Sequence, residues 1–253
     1  IAKIAALLSI GLPLDELQND ITKTTPACFE PVIDYVVVKV PRFDFEKFKV
    51  QPFLNTQMKS VGEVMSIGTN FKEAIQKAFR SLELGVNGLS TNKYEISNIN
   101  SIDEYLTTPN PLRPFYILEA FRRNYSIDRI YEMTKIDKWF LKNFEEIYNL
   151  EQILIEKKDY LNPEILLEAK KIGFSDSRIA ELTEQEEEEI KDLRLEFGIK
   201  PTYKKVDTCA GEFEAQTPYY YSTYQKENES FPSERTKYLV LGGGPFRIGQ
   251  GIE

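Results

Sequence analysis

Histidine is missing from all 253 residues. Its absence removes the usual general base, proton shuttle and metal ligand together. No Ser-His-Asp or Cys-His arrangement can be built within this chain, so any chemistry must rest on carboxylates, Lys, Arg or backbone-held groups. Cysteine is scarce: Cys28 and Cys209 lie far apart, outside any CxxC pattern. That spacing predicts two buried thiols in a reducing compartment rather than a disulfide frame or a zinc site. No apolar run approaches the ~18 residues of a membrane span, and Ile1-Ala2-Lys3-Ile4 shows neither an initiator Met nor a small-residue cleavage site. These features predict a piece of a longer cytoplasmic chain with no membrane association. Positive charge is also in deficit, with 32 Lys and Arg against 40 Asp and Glu and a net charge of -8. A nucleic-acid binder neutralises phosphates with Lys and Arg, and this balance argues against one.

What is present divides into three stretches. Residues 1–83 read as α/β. Residues 1–10 form an apolar helical end stopped by Gly11, and residues 14–18 suggest a short second helix. Tyr35-Val36-Val37-Val38-Lys39-Val40 is a β-branched run ended by Pro41, which predicts a strand, and residues 62–67 predict another. Asn70 and Glu73 have capping-box spacing, with Phe71, Ile75, Ala78, Phe79 and Leu82 on one helical face and Gly85 as its end. Two strands and a helix are too little for a domain, so they read as the last part of one.

From Gly85 to about Phe197 the pattern is helical. Pro114 opens a helix, and Asp137 opens a long one carrying Phe140, Phe144, Ile147, Leu150 and Leu154. Asn162 and Pro163 are an N-cap and a first-turn proline, and Gly173 sits where a left-handed residue is wanted. Thr183 with Glu186 suggests a further capping box, with Gly198 as the stop. Residues 88–111, rich in Asn, Ser and Thr, predict a poorly regular connection.

An internal repeat lies in this region. AFRRNYSIDRIYEMTKID (residues 120–137) aligns with AKKIGFSDSRIAELTEQE (residues 169–186) at an offset of 49, sharing Ala, Ser, Arg, Ile, Glu and Thr. Asn124 and Gly173 occupy the turn, the two residue types that best tolerate the left-handed region. Ser126 and Ser175 cap the next helix, so each copy reads as a helix-turn-helix hairpin.

After Gly198 the chain changes again. Residues 204–213 are mixed, Tyr219, Tyr220, Tyr221 and Tyr224 form a tyrosine-rich stretch, and residues 226–235 are polar and linker-like. Lys237-Tyr238-Leu239-Val240-Leu241 predicts a buried strand that runs into Gly242-Gly243-Gly244 and on to Gly249 and Gly251. Glycines there could let backbone amides approach a phosphate. A tight strand-to-helix crossover would use the same glycines, and the pattern is neither GxGxxG nor followed by Gly-Lys-Ser. The GFSDSRIAEL stretch has the spacing of a DNA-reading hairpin. Residues 173–198, however, hold three basic against nine acidic side chains, so a structural hairpin is favoured. The glutamates at 186–189 read as a solvated helix face, the tyrosines as packing between domains, and Glu63 as a structural hydrogen-bond acceptor.

Several ordered blocks together resemble one family. They are Leu14-Asp15-Glu16-Leu17 with Asn19-Asp20-Ile21-Thr22, FEPVIDYVVVKVPRF (29–43), TQMKSVGEVMSIG (56–68) and Ile136-Asp137-Lys138-Trp139-Phe140-Leu141. Gly173-Phe174-Ser175-Asp176, YKKVDTCAGEFEAQTPYYYSTY (203–224) and LGGGPFRIGQGIE (241–253) follow. The chain resembles the large subunit of carbamoyl phosphate synthetase over nearly its whole length, least between residues 88 and 111. The resemblance implies a mainly α fold. Its helical oligomerisation domain (84–230) would be flanked by the C-terminal α/β part of one ATP-grasp half (1–83) and the first strand of a second α/β half (231–253). It implies an ATP-dependent ligase using Mg or Mn and two ATP in the full-length protein, with no cofactor or metal and no catalytic residue in this stretch. The implied partners are a glutaminase small subunit or fused domain and further copies of the chain through 84–230, with no nucleic acid and no membrane. It also implies that Gly251, Ile252 and Glu253 lie beside a carbamate tunnel, with Gly242, Gly243, Gly244 and Gly249 in the loop before them. Two rivals remain open on the residues alone: a stand-alone helical interaction module with an acidic surface, and a nucleotide-binding regulator using residues 242–251.

Overall fold

The computed structural model describes residues 2–20, 23–30, 33–45, 51–90, 94, 96–207, 219–242 and 246–247. It is mainly helical. After helix α1 (Ala2–Ser9), strands β1 (Val36–Phe43) and β2 (Ser60–Gly68) pair antiparallel, with Val36 opposite Gly68 and Pro41 opposite Glu63. Exposure along β1 alternates, with Val36, Val38 and Val40 turned inward and Val37, Lys39 and Pro41 outward. The sequence places the strand's end at Pro41, yet β1 continues to Phe43. Among the described strands β1 is an edge, and an edge tolerates a residue with no N–H to donate.

Helix α2 (Phe71–Ser81) lies on the inner face of this ladder and buries Ile75, Ala78 and Phe79, with Leu82 just beyond its end. Its start is half a capping box. Asn70 Oδ1 accepts the Glu73 N–H at 2.9 Å, but the Glu73 carboxylate accepts the Thr69 N–H at 2.8 Å rather than that of Asn70. The left-handed residue after this helix is Glu83 (φ 54), not Gly85, which follows in the loop at φ 71.

The described residues between 88 and 111 are more structured than their composition suggests. A 3-10 turn (Ile96–Asn98) and helix α3 (Asp103–Thr107) leave Ile96, Ile102 and Leu106 at 0% exposure. The Arg123 guanidinium donates to the carbonyls of Ile96 at 3.2 Å, Ile99 at 2.7 Å and Asn100 at 3.3 Å, pinning this stretch to the bundle. Buried carbonyls must find donors, and one arginine supplies several.

Helices α4 (Arg113–Arg122), α5 (Ile127–Thr134) and α6 (Lys138–Glu156) are followed by α7 (Pro163–Lys171), α8 (Asp176–Thr183) and α9 (Glu187–Glu196). A single core cluster runs from Val64 through these helices to Ile199. A hairpin of β3 (Thr202–Lys205) and β4 (Tyr220–Thr223) packs beside α2, and β5 (Phe246–Arg247) pairs antiparallel with Gly62 and Glu63 of β2.

Other expectations are corrected. Residues 14–18 form turns and an isolated bridge from Gln18 to Pro26, not a helix. Phe140 is 40% exposed, and Leu141, at 0%, takes the inward position. Thr183 closes α8 with its hydroxyl on the Ile179 carbonyl at 2.9 Å; Glu186 caps α9, and Glu189 reaches back to its N–H at 3.0 Å. Residues 237–241 are not a strand: Tyr238, Leu239, Val240 and Leu241 are 83–89% exposed, without a ladder partner among the described residues. Cys28 is exposed rather than buried, and Cys209 lies outside the described residues.

Candidate functional site: the repeat junction

Of the residues named from the sequence, Gly243, Gly244, Gly249, Gly251, Ile252 and Glu253 lie outside the described residues. Gly242 is exposed, and a Cβ there would meet nothing within 4 Å. Beyond it, β5 holds residues 246–247 against β2, where a loop is expected from the sequence. Glu63 pairs with Lys39 across β1 and β2 at 2.6 Å with both side chains about half-exposed, which fits its structural reading. Tyr221 is buried and Tyr224 partly so, whereas Tyr219 and Tyr220 are exposed.

The repeat is larger than the hairpin. The two turn residues are left-handed, Asn124 at φ 60 and Gly173 at φ 98. The Tyr125 N–H returns to the Ala120 carbonyl at 2.9 Å, and the Phe174 N–H to the Ala169 carbonyl at 3.0 Å, closing both helices alike. Ser126 then accepts from the Arg129 N–H, and Ser175 from the Arg178 N–H. The second helices end at Lys135 (φ 54) and Glu184 (φ 57), and Asp137 and Glu186 cap the third helices. Each repeat is therefore three helices, α4–α6 and α7–α9.

An ion network ties the two repeats. Glu151, on α6 of the first repeat, is 2% exposed. It accepts from Arg178 of α8 at 2.7 Å and from Arg122 of α4 at 2.5 Å. Arg178 also donates to Glu181 at 2.8 Å and to the Ser90 hydroxyl at 3.2 Å. A buried carboxylate held by two guanidiniums is well paired, and removing either sign would leave a charge in a low-dielectric interior.

A second junction joins α2 to the turn between α7 and α8. Helix C-termini leave carbonyls without intrahelical donors. Here three side chains from the α2 segment supply them: Asn70 to Lys171 at 3.2 Å, Gln76 to Ile172 at 2.7 Å and Arg80 to Gly173 at 2.6 Å. Gly173 lies so close that a Cβ would sit 2.8 Å from the Glu73 Cα. Glu73, 1% exposed, accepts from Lys77 at 2.7 Å, the Thr69 hydroxyl at 2.9 Å and the Thr223 hydroxyl at 3.1 Å. One carboxylate thus joins α2, β4 and the residue just after β2. Beside it Lys170, 5% exposed, pairs with Asp176 at 2.6 Å, and Asp176 also holds Arg194 at 3.0 Å. Burial pulls the Lys170 ammonium down to about 8 against the opposing pull of Asp176.

Sequence reasoning passed over Glu73 as more than a cap, and over Glu151, Lys170 and Arg178 as charged core residues. The repeat alignment matched Arg129 with Arg178, but nothing in it says which copy is buried. Among the described residues no three His, Cys, Asp or Glu side chains converge as a metal shell. Among them also, no helix is long and apolar enough to cross a membrane.

Comparison with known proteins places these features. Residues 63–198 match the family model for the carbamoyl-phosphate synthetase large chain, oligomerisation domain. The carbamoyl phosphate synthase large chain of Pseudothermotoga lettingae is 54% identical over 257 aligned residues, covering 100% of this chain and 22% of that protein. The N-terminal section of the Aquifex aeolicus large chain is 58% identical over 229 residues, covering 89% of this chain and 40% of that protein. The arginine-specific chloroplastic large chain of Arabidopsis thaliana is 51% identical over 257 residues, covering 100% of this chain and again 22% of the relative. The chain thus spans about a quarter or less of the full-length relatives. With the family model covering more than half of its residues, this chain belongs to the carbamoyl phosphate synthetase large-chain family and carries its oligomerisation domain.

Proposed function

We propose that this chain is the connecting and self-associating part of an ATP-dependent ligase. That ligase would make carbamoyl phosphate from bicarbonate, glutamine-derived ammonia and two ATP, with Mg or Mn, for pyrimidine and arginine synthesis in the cytoplasm. Residues 1–83 would complete the half that forms carboxyphosphate, 84–230 would carry the self-association surface, and 231–253 would open the half that phosphorylates carbamate. A glutaminase subunit or fused domain would supply the ammonia. Gly251, Ile252 and Glu253 would border the carbamate passage, reached through the loop of Gly242, Gly243, Gly244 and Gly249. The observation that carries this reading is the alignment of the entire chain, at 54% identity, with a carbamoyl phosphate synthase large chain.

The test is made on the 253-residue chain itself. Sedimentation across a concentration series should show reversible self-association, and bicarbonate-dependent ATP turnover should be absent. A monomer at every concentration would remove the self-association claim, and turnover by the pure chain would remove the claim that it is inactive alone.

A further inference from the structure

Three cations line one cleft of about 280 Å³ between α2, the turn before α8, and the β3–β4 hairpin, with a fourth close by. Lys77, Arg80 and Lys170 line it, and Arg194 stands behind Asp176. Three carboxylates line it as well, Glu73 and Asp176 in its wall and Glu187 at the exposed rim. Lys77 is matched by Glu73, and Lys170 and Arg194 both lean on Asp176. Arg80 has no carboxylate within ion-pair distance among the described residues, and its one hydrogen bond there is from Nη1 to the Gly173 carbonyl. A guanidinium carries five donors in a planar fork, so most of this fork is left to face the cleft.

Counting Arg194, the surplus is therefore one positive charge beside a half-enclosed space, within a chain whose net charge is -8. Burial pulls Lys77, Arg80 and Lys170 all below their ordinary values, because desolvation disfavours the charged form. Hydroxyl donors are at hand as well: Ser175, Tyr203 and Tyr224 line the same walls. Tyr224 places its ring 5.0 Å from the Lys170 ammonium, and burial raises its hydroxyl, keeping it protonated as a donor.

We propose that this cleft binds a phosphate group, as inorganic phosphate or a small phosphate monoester, with the Arg80 fork as its principal contact and Lys77 and Lys170 flanking it. Guanidinium and phosphate match in planar, bidentate geometry, and the two flanking ammonium groups add donors for the remaining oxygens. Bound there, the ligand would bridge α2, the second repeat and the β3–β4 hairpin, three parts of the chain already joined by Glu73, Gln76 and Arg80. This site stands apart from the nucleotide and tunnel readings above and does not depend on them.

Calorimetric titration of the 253-residue chain with inorganic phosphate at constant ionic strength should give saturable, one-to-one binding. Glycerol 2-phosphate, run in parallel, separates the free ion from the monoester; saturation by either one supports the proposal. Arg80→Gln, which keeps a donor for the Gly173 carbonyl, should weaken binding at least about tenfold. Glu187→Gln, at the exposed rim and outside the fold's contacts, should tighten it about twofold by removing a repelling charge. Circular dichroism of each variant separates lost binding from lost structure. Linear, non-saturating heats with both probes would overturn the site, as would binding indifferent to both substitutions, and tighter binding of succinate than of phosphate would overturn its assignment to phosphate.

Discussion

Gly173 and Gly198 both hold left-handed backbone, at φ 98 and φ 70, but they differ in what surrounds them. A Cβ at Gly198 would meet nothing within 4 Å, whereas one at Gly173 would lie 2.8 Å from the Glu73 Cα and 3.0 Å from the Glu73 carbonyl oxygen. Backbone atoms of a buried helix cannot swing aside as a side-chain tip can. Gly198→Ala should therefore cost only the conformational strain, about 1 kcal/mol. Gly173→Ala adds an overpacking penalty of about 1–3 kcal/mol to the same strain. Urea unfolding of both variants checks this, with similar midpoint shifts counting against the close approach. The sequence supplies the left-handed turn at Gly173, because a helix stop followed by a serine cap is a local pattern. It does not supply the contact with Glu73, which lies 100 residues away in the chain. Asn124 at the matching place in the first repeat shows that the turn alone does not require glycine.

Comparing the two repeats element by element separates what is local from what is not. Turn, serine cap and left-handed helix end recur at the same offset because each is satisfied by backbone within a few residues. The equivalence of the third helices is less legible, since Asp137 and Glu186 both cap but share only their acidic character. Burial is the least local feature of all. Arg129 and Arg178 are equivalent positions on α5 and α8, yet Arg129 is 51% exposed, stacked over the Tyr125 ring at 3.5 Å. Arg178 is 3% exposed on Glu151, because α8 packs on α6 of the preceding repeat. Alanine at the two positions should then give very different results. Arg129→Ala removes an exposed pair and a ring contact, for about 1 kcal/mol or less. Arg178→Ala breaks a buried pair and should cost about 3–5 kcal/mol. Thermal or urea unfolding of the two variants reads the difference directly, and equal losses would mean that the tie between repeats contributes nothing special.

At the scale of the molecule, the composition change near Gly85 divides the sequence but not the core. The apolar cluster is continuous from Val64 on β2, through Ile75, Ala78, Phe79 and Leu82, to Phe115 and the helical repeats. Phe79 and Phe115 meet edge to face, with ring centroids 5.1 Å apart. The polar seam crosses at the same place, since Asn70, Gln76 and Arg80 serve the carbonyls at the end of α7. Periodicity could show that α2 has one apolar face, but not that its burial is shared between the strands before it and the helices after it. A piece beginning at residue 84 would lose this helix altogether. Burial of Ile75, Phe79 and Leu82, at ~1.5–3 kcal/mol each, is comparable with the ~5–15 kcal/mol that holds a whole domain together. Residues 63–230 should therefore fold cooperatively, with a sharp urea transition and slow amide exchange. Residues 84–230 should be helical but loosely packed, with a broad transition and exposed apolar surface that binds a hydrophobic dye. Matching transitions for the two pieces would show that the helical region is complete without α2 and that the domain boundary falls near residue 84.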